Sequence, residues 1–129
     1  MRRPPAVAAA VAAAMMLLSA FAHSVLGWRA MGDALARTNA PADLVRGLGV
    51  GWVFGGACML AFGLIVGWTS RALWGGATPS RVPLTIIAAC YLLFGVGAMA
   101  VTRGDPFYFV FLVPGLLAAY AAVAGTFAR

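Results

Sequence analysis

One side chain in this sequence could exchange a proton near neutral pH inside an apolar segment, and it is His23. It is the only histidine of the chain and lies five residues before Trp28, in a stretch without charged residues. Polar groups inside a membrane are costly, so they indicate a function such as proton relay, haem ligation or metal binding. The preferred interpretation is structural, because a neutral imidazole needs only one or two hydrogen-bond partners, such as Ser24, water or a lipid headgroup.

Metal and thiol chemistry find little support in the sequence. A metal site needs several ligands at a recognisable spacing, and no methionine forms one with His23. Cys58 and Cys90 have no CxxC partner, and a thiol in hydrocarbon stays protonated and unreactive. We therefore predict no metal ion, no cofactor and no catalytic residue, and structural roles for both cysteines.

Trp52 is the second candidate site residue, because it lies about two turns inside an apolar segment. Trp28 and Trp68 lie instead at the ends of such segments, at the membrane–water boundary where tryptophan is enriched. If the first two apolar segments run antiparallel, Trp52 can pack on His23. This pair is the predicted position of any small-molecule or cofactor site.

The elements that must position these residues are four long apolar segments. They cover residues 4–28, 44–68, 82–101 and 106–127, and no charged residue lies in the middle of any of them. A helix needs about 20 largely apolar residues to cross the hydrocarbon core of a bilayer. The sequence therefore predicts an all-α, polytopic membrane protein, with one domain over residues 1–129 folded as a bundle of four transmembrane helices.

The composition agrees with a membrane protein and argues against nucleic-acid binding. The chain has 129 residues, of which 64% are hydrophobic and 9% are charged, whereas a soluble domain carries about 25% charged residues. Its net charge of +6 comes from arginines that flank the apolar segments, where they can contact lipid phosphate. Membrane lipids are therefore predicted partners. The arginine-only, alanine-rich usage is typical of a GC-rich bacterial genome.

The arginines also bear on location and orientation. Five lie on the side of the N-terminus, namely Arg2, Arg3, Arg71, Arg81 and Arg129, and four lie on the opposite side. The positive-inside rule then predicts a bacterial inner membrane protein with both termini in the cytoplasm. Residues 20–22 also fit the cleavage site of a signal peptide. Because the apolar stretch continues to Trp28, we predict that this segment is retained as the first helix.

Small residues at spacings of four predict faces for helix packing. The second segment carries a row of glycines and the first a row of alanines: Gly47, Gly51, Gly55, Gly63 and Gly67, and Ala6, Ala10 and Ala14. In an apolar helix such rows let another backbone approach closely. We predict that the glycine row packs within the bundle, against the alanine row or the fourth helix. The alternative is an interface between copies or the lining of a passage.

Turn and cap residues mark the ends of the segments. Asp43 is placed to cap the second helix, and Ser80 to cap the third. In the short connection after residue 101, Gly104 ends a helix, Asp105 caps the next one and Pro106 opens it. The third and fourth helices are therefore predicted to be antiparallel neighbours.

Two short stretches resemble a known pattern. Residues 22–27 (AHSVLG), with Arg46 through Gly51 and Trp52, resemble small four-helix bacterial membrane proteins of an uncharacterised family. The likeness covers the first half of the chain. It implies a four-helix fold without an assigned activity, in which His23 and Trp52 mark a common site. In size and helix count the chain also resembles DoxX-type proteins, with no diagnostic motif to carry over.

Three hypotheses for function follow. The leading one is a non-enzymatic bundle that associates through its small-residue faces, with itself or with a larger membrane complex. The second is a passive transporter or channel for a small solute, formed between copies at residues 47–55 and the fourth helix; no intramembrane acid supports ion coupling. The third is a redox or cofactor-binding protein that uses His23, which the lack of paired ligands disfavours.

Overall fold

The computed structural model describes residues 3–125, which form four long helices and no β-strand. Helix α1 spans Arg3–Arg37, α2 Ala42–Trp74, α3 Val82–Val101 and α4 Pro106–Ala124. Each helix is long and apolar enough to cross a membrane. The chain is therefore an all-helical membrane-spanning protein, as its sequence predicts.

The bounds of α3 are those predicted, whereas α1 and α2 are longer. The apolar stretches end near residues 28 and 68, but the helices continue through polar residues to Arg37 and Trp74. Nothing breaks α1 before the turn at residues 38–41, and α2 ends only at Gly75. At 1.5 Å per residue these helices are roughly 50 Å long, against about 30 Å of hydrocarbon. They therefore extend beyond the hydrocarbon core.

Helix α4 begins with a 3-10 turn at Pro106–Tyr108. The Asp105 carboxylate accepts the Phe107 N–H at 2.9 Å, which confirms the predicted cap. The end predicted for this helix at residue 127 lies outside the described residues, as do Arg2 and Arg129.

The predicted cap of α2 is wrong. The residue at the N-cap position is Pro41, and the Asp43 side chain makes no capping hydrogen bond. Asp43 lies in the first turn, where it forms an exposed ion pair with Arg46. At α3, Ser80 Oγ accepts the Val82 N–H at 3.3 Å. The predicted contact therefore forms, although Arg81 rather than Ser80 occupies the N-cap position.

Helices α3 and α4 pack closely as antiparallel neighbours. Two glycines that face this contact make the approach possible. A Cβ atom at position 95 would lie 2.6 Å from Leu112 Cδ2, and one at position 115 would lie 3.1 Å from Tyr91 Cβ. A side chain at position 95 would force Leu112 to move, and its Cβ atom would lie 3.3 Å from Phe111 Cβ, so Gly95 favours this close helix crossing.

The core fills one half of the bundle, which we call the closed half. Its members are the buried hydrophobic residues Ala8, Ala9, Ala12, Ala13, Met16, Val66, Leu84, Ile87, Ala88, Tyr91, Ala118, Ala121 and Ala122. Most of them are alanines, which let helix axes come close where lipid supplies no hydrophobic drive. The buried Ser70 Oγ also donates to the Ala6 carbonyl at 2.8 Å, which fixes the end of α2 on the start of α1.

The opposite half, which contains the end of α1 and the start of α2, is open. No residue from His23 to Leu48 is buried. Helix α1 packs against α2 and α4, and α4 packs against α3, but α2 and α3 touch only slightly. This packing order leaves a gap between α2 and α3, and the candidate site lies there.

Candidate functional site

His23 of α1 and Trp52 of α2 bind each other through both side chains. The Trp52 indole N–H donates to the His23 carbonyl at 2.7 Å, and His23 Nε2 lies 3.2 Å from the Trp52 carbonyl oxygen. The rings stack with their centroids 4.5 Å apart and an interplanar angle of 1°. We call this pair the His–Trp clasp. It joins the two helices where the open half begins.

The backbone of α1 is widened at the clasp. His23 opens a π-helical segment, His23–Gly27, between two α-helical stretches. In such a segment the backbone hydrogen bonds run between residues five apart instead of four. The His23 carbonyl, at the start of the segment, accepts a hydrogen bond from the Trp52 indole N–H. Single-turn π segments inside α-helices occur frequently at functional sites.

Glycines make room for the clasp. A Cβ atom at position 55 would lie 3.3 Å from His23 Nε2, and one at position 27 would lie 3.0 Å from the Trp52 ring. A Cβ atom at position 56 would collide with the Ser24 hydroxyl. Larger residues at these positions would push α1 and α2 apart, so the glycines allow the two rings to stack.

A cavity of about 670 Å³ opens beside the clasp, between α2 and α3. All four helices contribute to its lining: His23, Gly47, Leu48, Gly51, Trp52, Gly55, Met59, Phe62, Cys90, Tyr91, Phe94 and Phe111. No residue in this set is acidic or basic apart from the single imidazole. The cavity can therefore hold an apolar molecule, and His23 is the polar group best placed to orient it.

Tyr91 lies at the border between the two halves. It is 4% exposed, and its ring contacts those of Phe62 and Phe111. Its hydroxyl is enclosed and has no hydrogen-bond partner among residues 3–125. An unpaired buried hydroxyl costs about 1–3 kcal/mol, so this side chain is a weak point of the core.

The two cysteines lie in different surroundings. Cys90 is exposed and lines the cavity, whereas Cys58 is half-buried outside it. Both are free thiols. Among the described residues, no three histidine, cysteine or acidic side chains come together as a possible metal site.

The predicted glycine row divides between the two halves. Gly63 faces Leu17 of α1, and a Cβ atom at Gly67 would lie 3.6 Å from Ala13. Gly47 and Gly51 have no atom within 4 Å of a Cβ position and line the cavity instead. Gly55 lies between these groups, against the clasp.

The predicted alanine row follows the buried face of α1 only at its start. Ala6 is buried, Ala10 is half-buried and Ala14 is exposed. The buried face continues through Ala9 and Ala13 instead. A spacing of four drifts around a helix that has 3.6 residues per turn, so after two such steps the row leaves the contact.

Several site residues escape the sequence reasoning. Tyr91 and Phe62 look like ordinary core aromatics, and Gly27 looks like a helix end. Gly56 breaks the spacing of the glycine row, although the adjacent pair Gly55-Gly56 is a signal for close approach of a bulky partner. The long-range contacts that define these roles leave no periodic pattern.

Comparisons with known proteins add no relative to this description. The chain matches no protein-family model, no curated protein and no solved structure. The likeness to DoxX-type proteins is not confirmed, and the four apolar helices remain compatible with a small four-helix membrane protein.

Proposed function

We propose that this protein binds a small amphiphilic molecule dissolved in the membrane, with the cavity beside the His–Trp clasp as its site. The observation that carries the proposal is the cavity itself, about 670 Å³ and lined by apolar side chains with one imidazole. Ligand sites of proteins have volumes of about 300–1,000 Å³ and combine an apolar lining with few polar groups. The gap between α2 and α3 gives a lipid-dissolved molecule a lateral entry.

The cavity geometry favours a small molecule over a second copy of the chain. Its lining comes from all four helices, so it is a recess in the bundle rather than the face of one helix. Residues of the glycine row also line it: Gly47, Gly51 and Gly55. Association with another copy, or with a larger membrane complex, is therefore the second candidate, supported by the open space at Gly51.

A pathway for solutes through one copy is less well supported. In the closed half, Met16, Val66 and Leu84 are each 0% exposed. These side chains fill the interior of that half, so the cavity does not continue through it. A solute that entered from the open half would meet close-packed alanines and glycines. The packing thus favours a binding site with one opening.

Fluorescence quenching of Trp52 tests the proposal. A variant with Trp28→Phe, Trp68→Phe and Trp74→Phe leaves Trp52 as the only tryptophan. In lipid nanodiscs, added 2-bromododecan-1-ol, whose bromine lies next to its hydroxyl, should quench it with a saturable component, because a bromine atom quenches at short range and Trp52 lines the cavity. A purely linear rise in quenching, as for an exposed tryptophan, would contradict binding in the cavity.

A matched pair of glycine variants provides the control. Neither Gly51 nor Gly97 has an atom within 4 Å of a Cβ position, but only Gly51 lines the cavity. Gly51→Leu should abolish the saturable component, and Gly97→Leu should leave it intact. If Gly51→Leu instead converts a dimer to a monomer on native gels, without any saturable quenching, the association hypothesis replaces this one.

For the location we propose a bacterial inner membrane with both termini in the cytoplasm. The support is the distribution of arginines, five on the side of the termini and four on the other. A C-terminal fusion to a reporter that is active only in the cytoplasm should be active, and a periplasmic reporter at the same position should not. The reverse pattern would overturn the orientation.

A further inference from the structure

The orientation of the His23 ring is fixed by α2. Nε2 lies 3.2 Å from the Trp52 carbonyl oxygen, and a carbonyl oxygen can only accept a hydrogen bond, so Nε2 must carry the hydrogen. The Nε2–Cδ2 edge faces two glycines: Nε2 would lie 3.3 Å from a Cβ atom at Gly55, and Cδ2 3.6 Å from one at Gly56. Nδ1 therefore lies on the opposite edge of the ring.

Nδ1 is left as a free hydrogen-bond acceptor. It has no hydrogen-bond partner among residues 3–125. It is also not enclosed, since the Tyr91 hydroxyl is the one buried side-chain polar atom without a partner in this part of the chain. His23 lies about 7–8 Å inside the boundary that Trp28 marks, at 1.5 Å per residue. An imidazole whose hydrogen is on Nε2 has a lone pair on Nδ1.

We propose that the ligand of the cavity carries a hydroxyl group, which donates a hydrogen bond to His23 Nδ1. This inference rests on the proposed function and specifies the ligand class: a long-chain or polycyclic alcohol rather than a ketone, ester or ether. The cavity lining runs from Gly47 to Phe62 along α2, and the part from Gly51 to Phe62 is roughly 16 Å long at 1.5 Å per residue. The hydroxyl lies beside His23, and an apolar body of that length extends toward Tyr91.

A pair of probes that differ in one hydrogen-bond donor tests the inference. Quenching of Trp52 is compared for 2-bromododecan-1-ol, whose bromine would lie beside His23 and Trp52 in this pose, and for its methyl ether in the single-tryptophan protein. The alcohol should half-saturate at a mole fraction about three- to tenfold lower than the ether, the ratio expected for one hydrogen bond in a membrane. Equal half-saturation of the two probes would overturn the inference but leave the proposed function standing. Failure of both probes to saturate would overturn the proposed function itself.

Two further measurements separate recognition from a structural role of His23. In His23→Ala the preference for the alcohol should disappear while the ether still binds; a preference that persists would contradict the role of Nδ1. Because the chain has one histidine, the ¹⁵N spectrum of the labelled protein shows one imidazole. It should show a protonated Nε2 and a bare Nδ1 whose resonance moves on addition of the alcohol only. A protonated Nδ1 would overturn the inference even if the alanine variant fails to fold.

Discussion

The two halves of this bundle share one row of glycines along α2, but they pack differently. In the closed half, alanines and glycines bring the helices together, and Met16, Val66 and Leu84 have no exposed surface. In the open half, no residue from His23 to Leu48 is buried, and the clasp with Trp52 joins α1 to α2 beside a cavity.

The glycines show what this difference teaches. Gly51 and Gly63 belong to the same row, yet Gly63 faces Leu17 and Gly51 faces empty space. The spacing of small residues allows close packing, but a partner helix must be present to use it. Where no neighbouring helix packs against the glycine row, as at Gly51, the same kind of residue lines a cavity.

The largest loss of stability is expected from a substitution that overpacks the closed half. Gly63→Leu should lower the free energy of unfolding by about 3 kcal/mol, because overpacking a filled contact forces side chains and backbone apart. A Cβ atom there would lie 2.8 Å from Leu17 Cδ2 and 3.2 Å from the Leu17 backbone nitrogen. The measurement is unfolding by SDS in mixed micelles, followed by circular dichroism.

The matched variant in the open half is Gly51→Leu. It should leave the free energy of unfolding nearly unchanged, since nothing lies within 4 Å of the new Cβ atom. Equal destabilisation by the two variants would show that the halves do not differ.

The second effect concerns the clasp. Trp52→Phe removes the indole N–H that the His23 carbonyl accepts, and it should lower stability by about 1–2 kcal/mol. Trp28→Phe is the control, since the Trp28 ring packs on Gly49 and lies 6.2 Å from that of Trp52 but has no indole hydrogen bond among the described residues. Unfolding of both variants in the same micelles compares them, and a larger loss for Trp28→Phe would refute the role of the clasp.

The third effect concerns the only hydroxyl that joins α2 to α1 within the described residues. Ser70→Ala removes the 2.8 Å hydrogen bond from Ser70 Oγ to the Ala6 carbonyl and should cost about 1 kcal/mol. Thr85→Val removes an exposed hydroxyl that bonds only within its own helix and should cost less. Proteolysis at the N-terminal end of α1 gives a second readout, which should speed up in Ser70→Ala alone.

The smallest effect has the opposite sign. Tyr91→Phe removes a buried hydroxyl that has no partner, so the free energy of unfolding of the ligand-free protein should rise by up to about 1 kcal/mol. Tyr120→Phe, at an exposed position of α4, should change nothing measurable. A clear loss of stability in Tyr91→Phe would mean that the hydroxyl is hydrogen-bonded.

The sequence predicts the spans well because the membrane imposes a simple rule on each of them. The apolar run between Arg81 and Thr102 predicts the bounds of α3 without error. At α1 the apolar run ends near Trp28, and the amphipathic residues that follow continue the helix to Arg37. The predicted cap at Asp43 is wrong, because Pro41 is the N-cap residue and α2 begins at Ala42. Local competition between cap residues is not visible in hydrophobicity.

The candidate site could be predicted only as a pair. His23 stands out as the one histidine of the chain, inside an apolar segment, and Trp52 as the one tryptophan away from a segment end. Their antiparallel helices place them side by side. The sequence does not predict three other features of the site: the π segment, the fit of Gly56 against Ser24, and which imidazole nitrogen faces α2. These depend on distances of tenths of an ångström in the tertiary structure.

By itself, the sequence determines that this chain spans a membrane with four helices, because each span depends on a local run of apolar residues. It also indicates His23 and Trp52 as the residues of the candidate site. Only the tertiary structure decides that α2 packs on α1 but barely touches α3, which leaves the cavity open. That order depends on the summed fit of many small contacts between distant residues, and no single stretch of sequence encodes it.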